Sequence, residues 1–271
     1  MNFGLNGKIA LVTGGGQGVG KQICIDLAIE GAYVVVNDLV LERAQGVAHE
    51  IHQTGGKAVA IQADITKYDD VLSMVSKATE HFGNSISVLV NNAGIIPERR
   101  EKGGRTPEFL NMPMEDWSKI INLNFYGTMN CCKAVLPEMV NHKTGRIINI
   151  ISEAGRIGEA NMAVYSGAKA AIAGFGKALA KENGKHAITV NSVALGAVSH
   201  SGIKDGPLHI HATVENNEIL GKMISMYPIS KGLKRLAKPG DVSGAVVFLA
   251  SDQAIFITGQ TIGASGGFTM V

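Results

Sequence analysis

Cysteine is scarce in this sequence, occurring only as Cys24, Cys131 and Cys132. Adjacent cysteines do not readily pair with each other, and none of the three stands at a metal-ligand spacing. A disulfide framework is therefore not expected, and a reduced, cytoplasmic setting is. An excess of one charge sign is also missing: the formal net charge is +2. That balance leaves no broad electrostatic footprint for nucleic acid or a membrane surface, so neither is expected as a partner. Long apolar runs are absent too, all falling well short of a membrane span. The start, MNFGLNGKIALVTGGG, enters a strand and a glycine loop with no basic region leading into a long apolar stretch. A targeting segment is not expected either.

Glycine, by contrast, is abundant, with 34 in 271 residues, about twice average usage. The glycines stand at the ends of periodic segments, where turns and close packing call for them. Short apolar runs alternate with longer amphipathic ones. KIALVTG, AYVVVND, KAVAIQAD, SVLVNNAG, GRIINIIS, AITVNSVAL and GQTIGA read as seven buried strands of a mostly parallel sheet. Helical patterns lie between them at roughly 18–30, 41–54, 67–82, 115–142, 162–185 and 239–251. Repeated β-then-α order implies right-handed crossovers and helices on both faces. The expectation is one doubly wound α/β domain of Rossmann type over residues 1–271, with no compositional boundary to split it. Two long connections, 95–114 and 197–234, should rise over the carboxyl ends of the strands, where open α/β sheets bind ligands.

The first strand ends in TGGGQGVG, residues 13–20, and a helix follows at once. Gly14, Gly18 and Gly20 permit a tight turn, close backbone approach to a pyrophosphate, and close helix–strand packing. The helix N-terminus then offers amides and partial positive charge to phosphates. The second strand ends in Asn37-Asp38, close to 20 residues further on. An acid there suits the ribose hydroxyls of NAD and repels the added phosphate of NADP. Gln17 stands where a phosphate-binding cation could have stood. Asp38 also fits a plain helix N-cap.

VYSGAK, residues 164–169, places Tyr165 and Lys169 four apart on a helix, hence on one face. On spacing alone the pair fits a snorkelling lysine beside a surface tyrosine as well as an activated phenol. In the same way, Ser152 fits a strand-end turn residue and Asn124 a satisfied helix amide.

Taken together and in order, TGGGQGVG, NNAG at 91–94, Ser152 and YSGAK at 165–169 resemble the short-chain dehydrogenase/reductase family, and the likeness runs through the C-terminal FITGQTIGASGG. The resemblance implies an NAD-dependent alcohol dehydrogenase or ketone reductase. Its catalytic residues would be Tyr165 as acid/base, Lys169 lowering the tyrosine pKa and holding the nicotinamide ribose, Ser152 on the substrate oxygen and Asn124 on a relay water. The cofactor contacts implied are Gly14, Gln17, Gly18, Val19, Gly20, Asp38, Leu39, Asp64, Ile65, Asn91, Ala93, Gly94, Tyr165, Lys169 and Val198. Family members generally form tetramers, which implies a homotetramer.

The chain departs from the family where Leu195-Gly196 replaces a usual Pro-Gly pair and His200 replaces a usual threonine. Arg156, Met162 and His200 are the candidate substrate residues. An arginine at 156 resembles family members that oxidise cyclic or aromatic hydroxyacyl-CoA esters. Arg99, Arg100, Lys102 and Arg105 would suit CoA phosphates, or form a solvated loop. His209 and His211 lack a carboxylate or cysteine to complete a metal site, so no metal is expected. The substrate expected is thus a small alcohol or ketone, cyclic, aromatic or a hydroxyacyl(-CoA) alcohol. The alternatives are a 3-oxoacyl or other ketone reductase, or a catalytically silent NAD-binding subunit. An enoyl reductase or epimerase fits the Tyr–Lys spacing poorly.

Overall fold

The computed structural model describes residues 2–94 and 107–271. Seven strands form one sheet: β1 Ile9–Val12, β2 Tyr33–Asp38, β3 Lys57–Gln62, β4 Ile86–Asn91, β5 Gly145–Ser152, β6 Ile188–Leu195 and β7 Thr261–Ala264. Their order is β3-β2-β1-β4-β5-β6-β7, and every pairing is parallel. The apolar character of the central strands is nearly continuous because both faces are covered: all of β1, IALV, is buried. The order reverses between β1 and β4, opening a crevice at their carboxyl ends, the place where such sheets bind ligands.

Helices α1 Gly18–Ile29 and α2 Leu41–Gln53 cover one face, joined later by α10 Pro239–Ala250. Ile23, Leu27, Val47, Ile51, Val246 and Leu249 close over Val12, Val34 and Val36 there. The other face is covered by α3 Tyr68–Phe82, α5 Gly127–Asn141 and α7 Ala163–Asn183. Val71, Met74, Cys131, Val135 and Leu179 pack there on Leu11, Val35, Leu89 and Ile147. Cys24, Cys131 and Cys132 are buried thiols. No helix among the described residues is long and apolar enough to cross a membrane.

Two expectations are modified. The helix anticipated over 115–142 is divided into α4 Met114–Ile121, a π-helical turn Asn122–Tyr126, and α5. Within that turn Asn124 is buried, its Nδ2 donating to the Ile120 carbonyl at 2.9 Å. A widened turn of this kind shifts the helix face and is frequent at functional sites. The connection 197–234 contains two helices, α8 Glu218–Met226 and α9 Pro228–Leu233. Pro228 explains the break between them: it cannot continue α8 but its fixed φ suits the first turn of α9. A further single turn, α6 Ala154–Ile157, follows β5 directly. The part of the 95–114 connection from 95 to 106, with Arg99, Arg100, Lys102 and Arg105, lies outside the described residues.

Candidate active site

The glycine turn between β1 and α1 is strained in the way its composition requires. Gly14 and Gly18 have φ of 61° and 58°, left-handed values that disfavour a side chain. At Gly20 the limit is contact: a Cβ there would lie 2.2 Å from the Gly14 carbonyl oxygen. α1 begins with no side-chain cap and no acid in its first turn, which leaves its amides to face an anion. Val19, in that first turn, packs against the core.

Asp38 ends β2 beneath this turn. Its Oδ2 accepts the Gly16 N–H and its Oδ1 the Val40 N–H, both at 3.1 Å. The carboxylate is thereby fixed beside the turn with lone pairs to spare, and Leu39 next to it is exposed. Asp64 caps its own turn, accepting from Thr66 N and Thr66 Oγ1 at 3.0 and 2.7 Å. Ile65 is buried against Gly127.

On the β4 side, Asn91 turns into the core and donates to Asn149 Oδ1 at 2.9 Å. The adjacent Asn92 ties the glycine turn down, donating to the carbonyls of Thr13 and Gly14 at 3.0 Å each. Thr13 Oγ1 in return accepts the amides of Asn92 and Ala93. Sequence reasoning quoted both motifs but gave Thr13 and Asn92 no task; their side chains latch the two loops together. It also passed over Arg43, whose Cβ borders the turn, 2.6 Å from where a Cβ on Gly16 would be.

Across the crevice lie Lys169 and Tyr165. Lys169 is 3% exposed, and its Nζ donates to the Ile150 carbonyl at 2.9 Å. Burial pushes its pKa down to about 7. The Nζ sits 5.7 Å from the ring centre of Tyr165, one turn earlier on α7. A Cβ at Gly94 would be 2.8 Å from this Nζ and 2.8 Å from Asn124 Oδ1, so three sequence motifs converge on one glycine. Asn124 Oδ1 is buried with no hydrogen-bond partner among the described residues, which fits an acceptor held for a bound group. Ser152, at the end of β5, accepts the Ala154 N–H at 3.2 Å, and its Oγ lies 3.5 Å from the Leu195 carbonyl.

The remaining candidates fall in different places. Val198 pairs with Ala237. The imidazole of His200 packs over the glycine turn, 2.9 Å from where a Cβ on Gly18 would be, and its Nδ1 accepts the Gly202 N–H at 3.1 Å. It therefore lies with the cofactor residues. Met162 lines a cleft beside Tyr165 with Phe109, Met112, Ile120 and Val164. Arg156 is held by Glu153, 3.2 Å from its carboxylate. His209 and His211 place their rings 5.3 Å apart, and no group of three possible metal ligands occurs among the described residues.

Comparison with known proteins finds relatives over nearly the whole chain. The family model for short chain dehydrogenase matches residues 8–206. The 3-oxoacyl-[acyl-carrier-protein] reductase of Synechocystis sp. is 38% identical, over 98% of each chain. The enzyme of the same name from Staphylococcus epidermidis is 36% identical, over 97% of this chain and 99% of its own. The 7alpha-hydroxysteroid dehydrogenase of Escherichia coli is 35% identical, over 98% of this chain and 96% of its own. The chain belongs to the short-chain dehydrogenase/reductase family and is an oxidoreductase of that family.

Proposed function

We propose that the protein interconverts a ketone and a secondary alcohol with NAD(H), with 3-oxoacyl compounds or related ketones as its first substrate class. The observation that carries this reading is the convergence of Lys169 Nζ and the unpartnered Asn124 Oδ1 on Gly94, with Tyr165 one helical turn away. The residues present fit a nicotinamide dinucleotide. Gly14, Gly18, Gly20 and the α1 amides would hold the diphosphate, and Asp38 the adenosine ribose. Leu39, Asp64 and Ile65 would border the adenine, and Lys169, Ala93 and Val198 the nicotinamide end. Asp38 and Gln17 favour NAD over NADP. When bound, the dinucleotide supplies or accepts the hydride.

The chain's own part is to move a proton and steady an oxygen. In reduction the Tyr165 hydroxyl gives its proton to the carbonyl oxygen; in oxidation the phenolate takes the alcohol proton. A free phenol titrates near 10, and a neighbouring ammonium favours its ionised form. Ser152 Oγ holds the substrate oxygen as its charge changes.

The relatives support an acyl ketone more strongly than a cyclic hydroxyacyl-CoA ester, because two of them, matched over nearly their full length, are 3-oxoacyl reductases. Cyclic secondary alcohols form the second reading, favoured by the hydroxysteroid relative. Phe109, Met112, Met162 and Val164 give either substrate an apolar wall beside Tyr165. Arg156 is engaged by Glu153, which weakens its case as a group for the phosphates of a CoA ester. We extend the proposal to a cytoplasmic homotetramer, in which the exposed Met114, Ile121 and Tyr126 offer an apolar face to a second copy.

The test is oxidation of NADH or NADPH by the purified protein in the presence of a 3-oxoacyl thioester or a cyclic ketone. Turnover of the thioester with NADH exceeding that with NADPH is expected. No turnover of any ketone, or of the corresponding alcohols with NAD⁺, rejects the reading.

A further inference from the structure

The residue after Ser152 is a glutamate whose side chain is 1% exposed. Its carboxylate oxygens lie 3.3 and 3.2 Å from Arg156 Nη1, and Oε2 also accepts the hydroxyl of Thr269, in the C-terminal segment. The backbone of the same residue ties elsewhere: Glu153 N donates to the Leu195 carbonyl at 3.0 Å. The neighbouring Ala154 N–H is the donor that fixes Ser152 Oγ. Room for this pair comes from a glycine in β7, since a Cβ at Gly263 would lie 2.9 Å from Glu153 Oε1 and 3.1 Å from Arg156 Nη1. The tail continues the linkage. Phe268 stacks on Tyr227 at 4.7 Å, and Tyr227 Oη accepts the Ala197 N–H at 3.0 Å, one residue before Val198.

We propose that Glu153 and Thr269 form a clamp fastening the C-terminal segment to the turn that carries Ser152, with Glu153 a positioning residue that acts through Ser152. This rests on the reading of Ser152 as the group that holds the substrate oxygen. Burying a carboxylate with a guanidinium adds little stability over apolar side chains of equal volume. Its placement one residue from Ser152 is accounted for by geometry: the carboxylate is met by two side-chain donors in fixed directions, Arg156 Nη1 and the Thr269 hydroxyl, and meeting them fixes the turn. The C-terminal segment is thereby linked, through Thr269 and Glu153, to the turn that carries Ser152.

Thr269→Val removes the donor while keeping the shape, and Thr269→Ser restores it. Amide hydrogen exchange over residues 152–157, followed with kcat and the dissociation constant for NADH, tests the clamp. Loss of a hydrogen bond to a charged group is expected to speed that exchange roughly tenfold in Thr269→Val and to lower kcat by a similar factor. NADH binding stays unchanged, and Thr269→Ser returns both quantities to wild-type values. Unchanged exchange over 152–157 overturns the clamp. Accelerated exchange with unchanged kcat overturns the positioning role. A wild-type protein with no turnover of any ketone rejects the proposed function instead, and the exchange measurement then decides the clamp by itself.

Discussion

The two sides of the crevice are held by different kinds of contact. On the side of β1, β2 and β4, polar side chains bond to the main chain close to the glycine turn: Asp38 to Gly16, Asn92 to Thr13 and Gly14, Thr13 to Asn92 and Ala93. Each of these fixes a loop directly. On the side of β5, β6 and the C-terminal segment, side chains hold other side chains across long sequence separations, as in Glu153 with Thr269 and Tyr227 with Phe268. A cavity of about 460 Å³ remains in that half, bounded by Ser199, Ile210, Val214, Leu220, Ile224 and Leu236 and by no residue of the proton-transfer set. Ile219, Met226, Ile229 and Leu233 are exposed nearby. The contrast separates a part built to present backbone to one kind of ligand from a part whose walls are free to vary with the substrate.

Substitutions on the two sides should therefore fail differently. Lys169 stands at the junction and gives the largest effect. Lys169→Met should lower kcat about a thousandfold, within the usual range for acid–base groups. It should also change how stability depends on pH. The folded pKa is about 7 against a reference value of 10.5. Between the two the unfolded chain carries a proton that the folded chain lacks, so stability of the wild type rises with pH across that window, and the burial penalty is fully present below it. Melting curves of the variant relative to the wild type should gain more at about pH 6 than at about pH 9.5. An equal difference at both would mean that the ammonium is not buried.

Next in size comes the cofactor side. Asp38→Ser should lower the affinity for NADH relative to NADPH about 10- to 100-fold, the worth of a charge-assisted hydrogen bond. Titration of both dinucleotides by fluorescence reads this without any substrate, and an unchanged ratio would remove Asp38 from the account of specificity. The smallest effect belongs to the other side. Tyr227→Phe leaves the stack on Phe268 but deprives the Ala197 N–H of its acceptor, which should cost about 1 kcal/mol in denaturant unfolding and leave the NADH/NADPH ratio untouched. A changed ratio would erase the division between the two sides.

The same division explains what could be read from the residues alone. The glycine turn was legible because positive φ at Gly14 and Gly18 and the contact at Gly20 each demand glycine, at spacings set by one short turn. The strands were legible because both faces of the sheet are covered, leaving nearly continuous apolar runs. α8 and α9 were not, since two short helices parted by Pro228 carry too few turns for a period to show. The π turn at Asn122–Tyr126 was hidden within a helical pattern that runs unbroken through it. The partner of Arg156 was missed for another reason. Glu153 lies three residues away, and only the fold shows that it is buried and shared with Thr269.

The most direct measurement is hydride transfer by Tyr165→Phe, followed by absorbance of the reduced nicotinamide, with NADH binding determined on the same preparation. The account predicts binding within about twofold of the wild type and turnover lowered about a thousandfold. Turnover equal to the wild type would contradict it, because Tyr165 is the side chain to which the account assigns the proton.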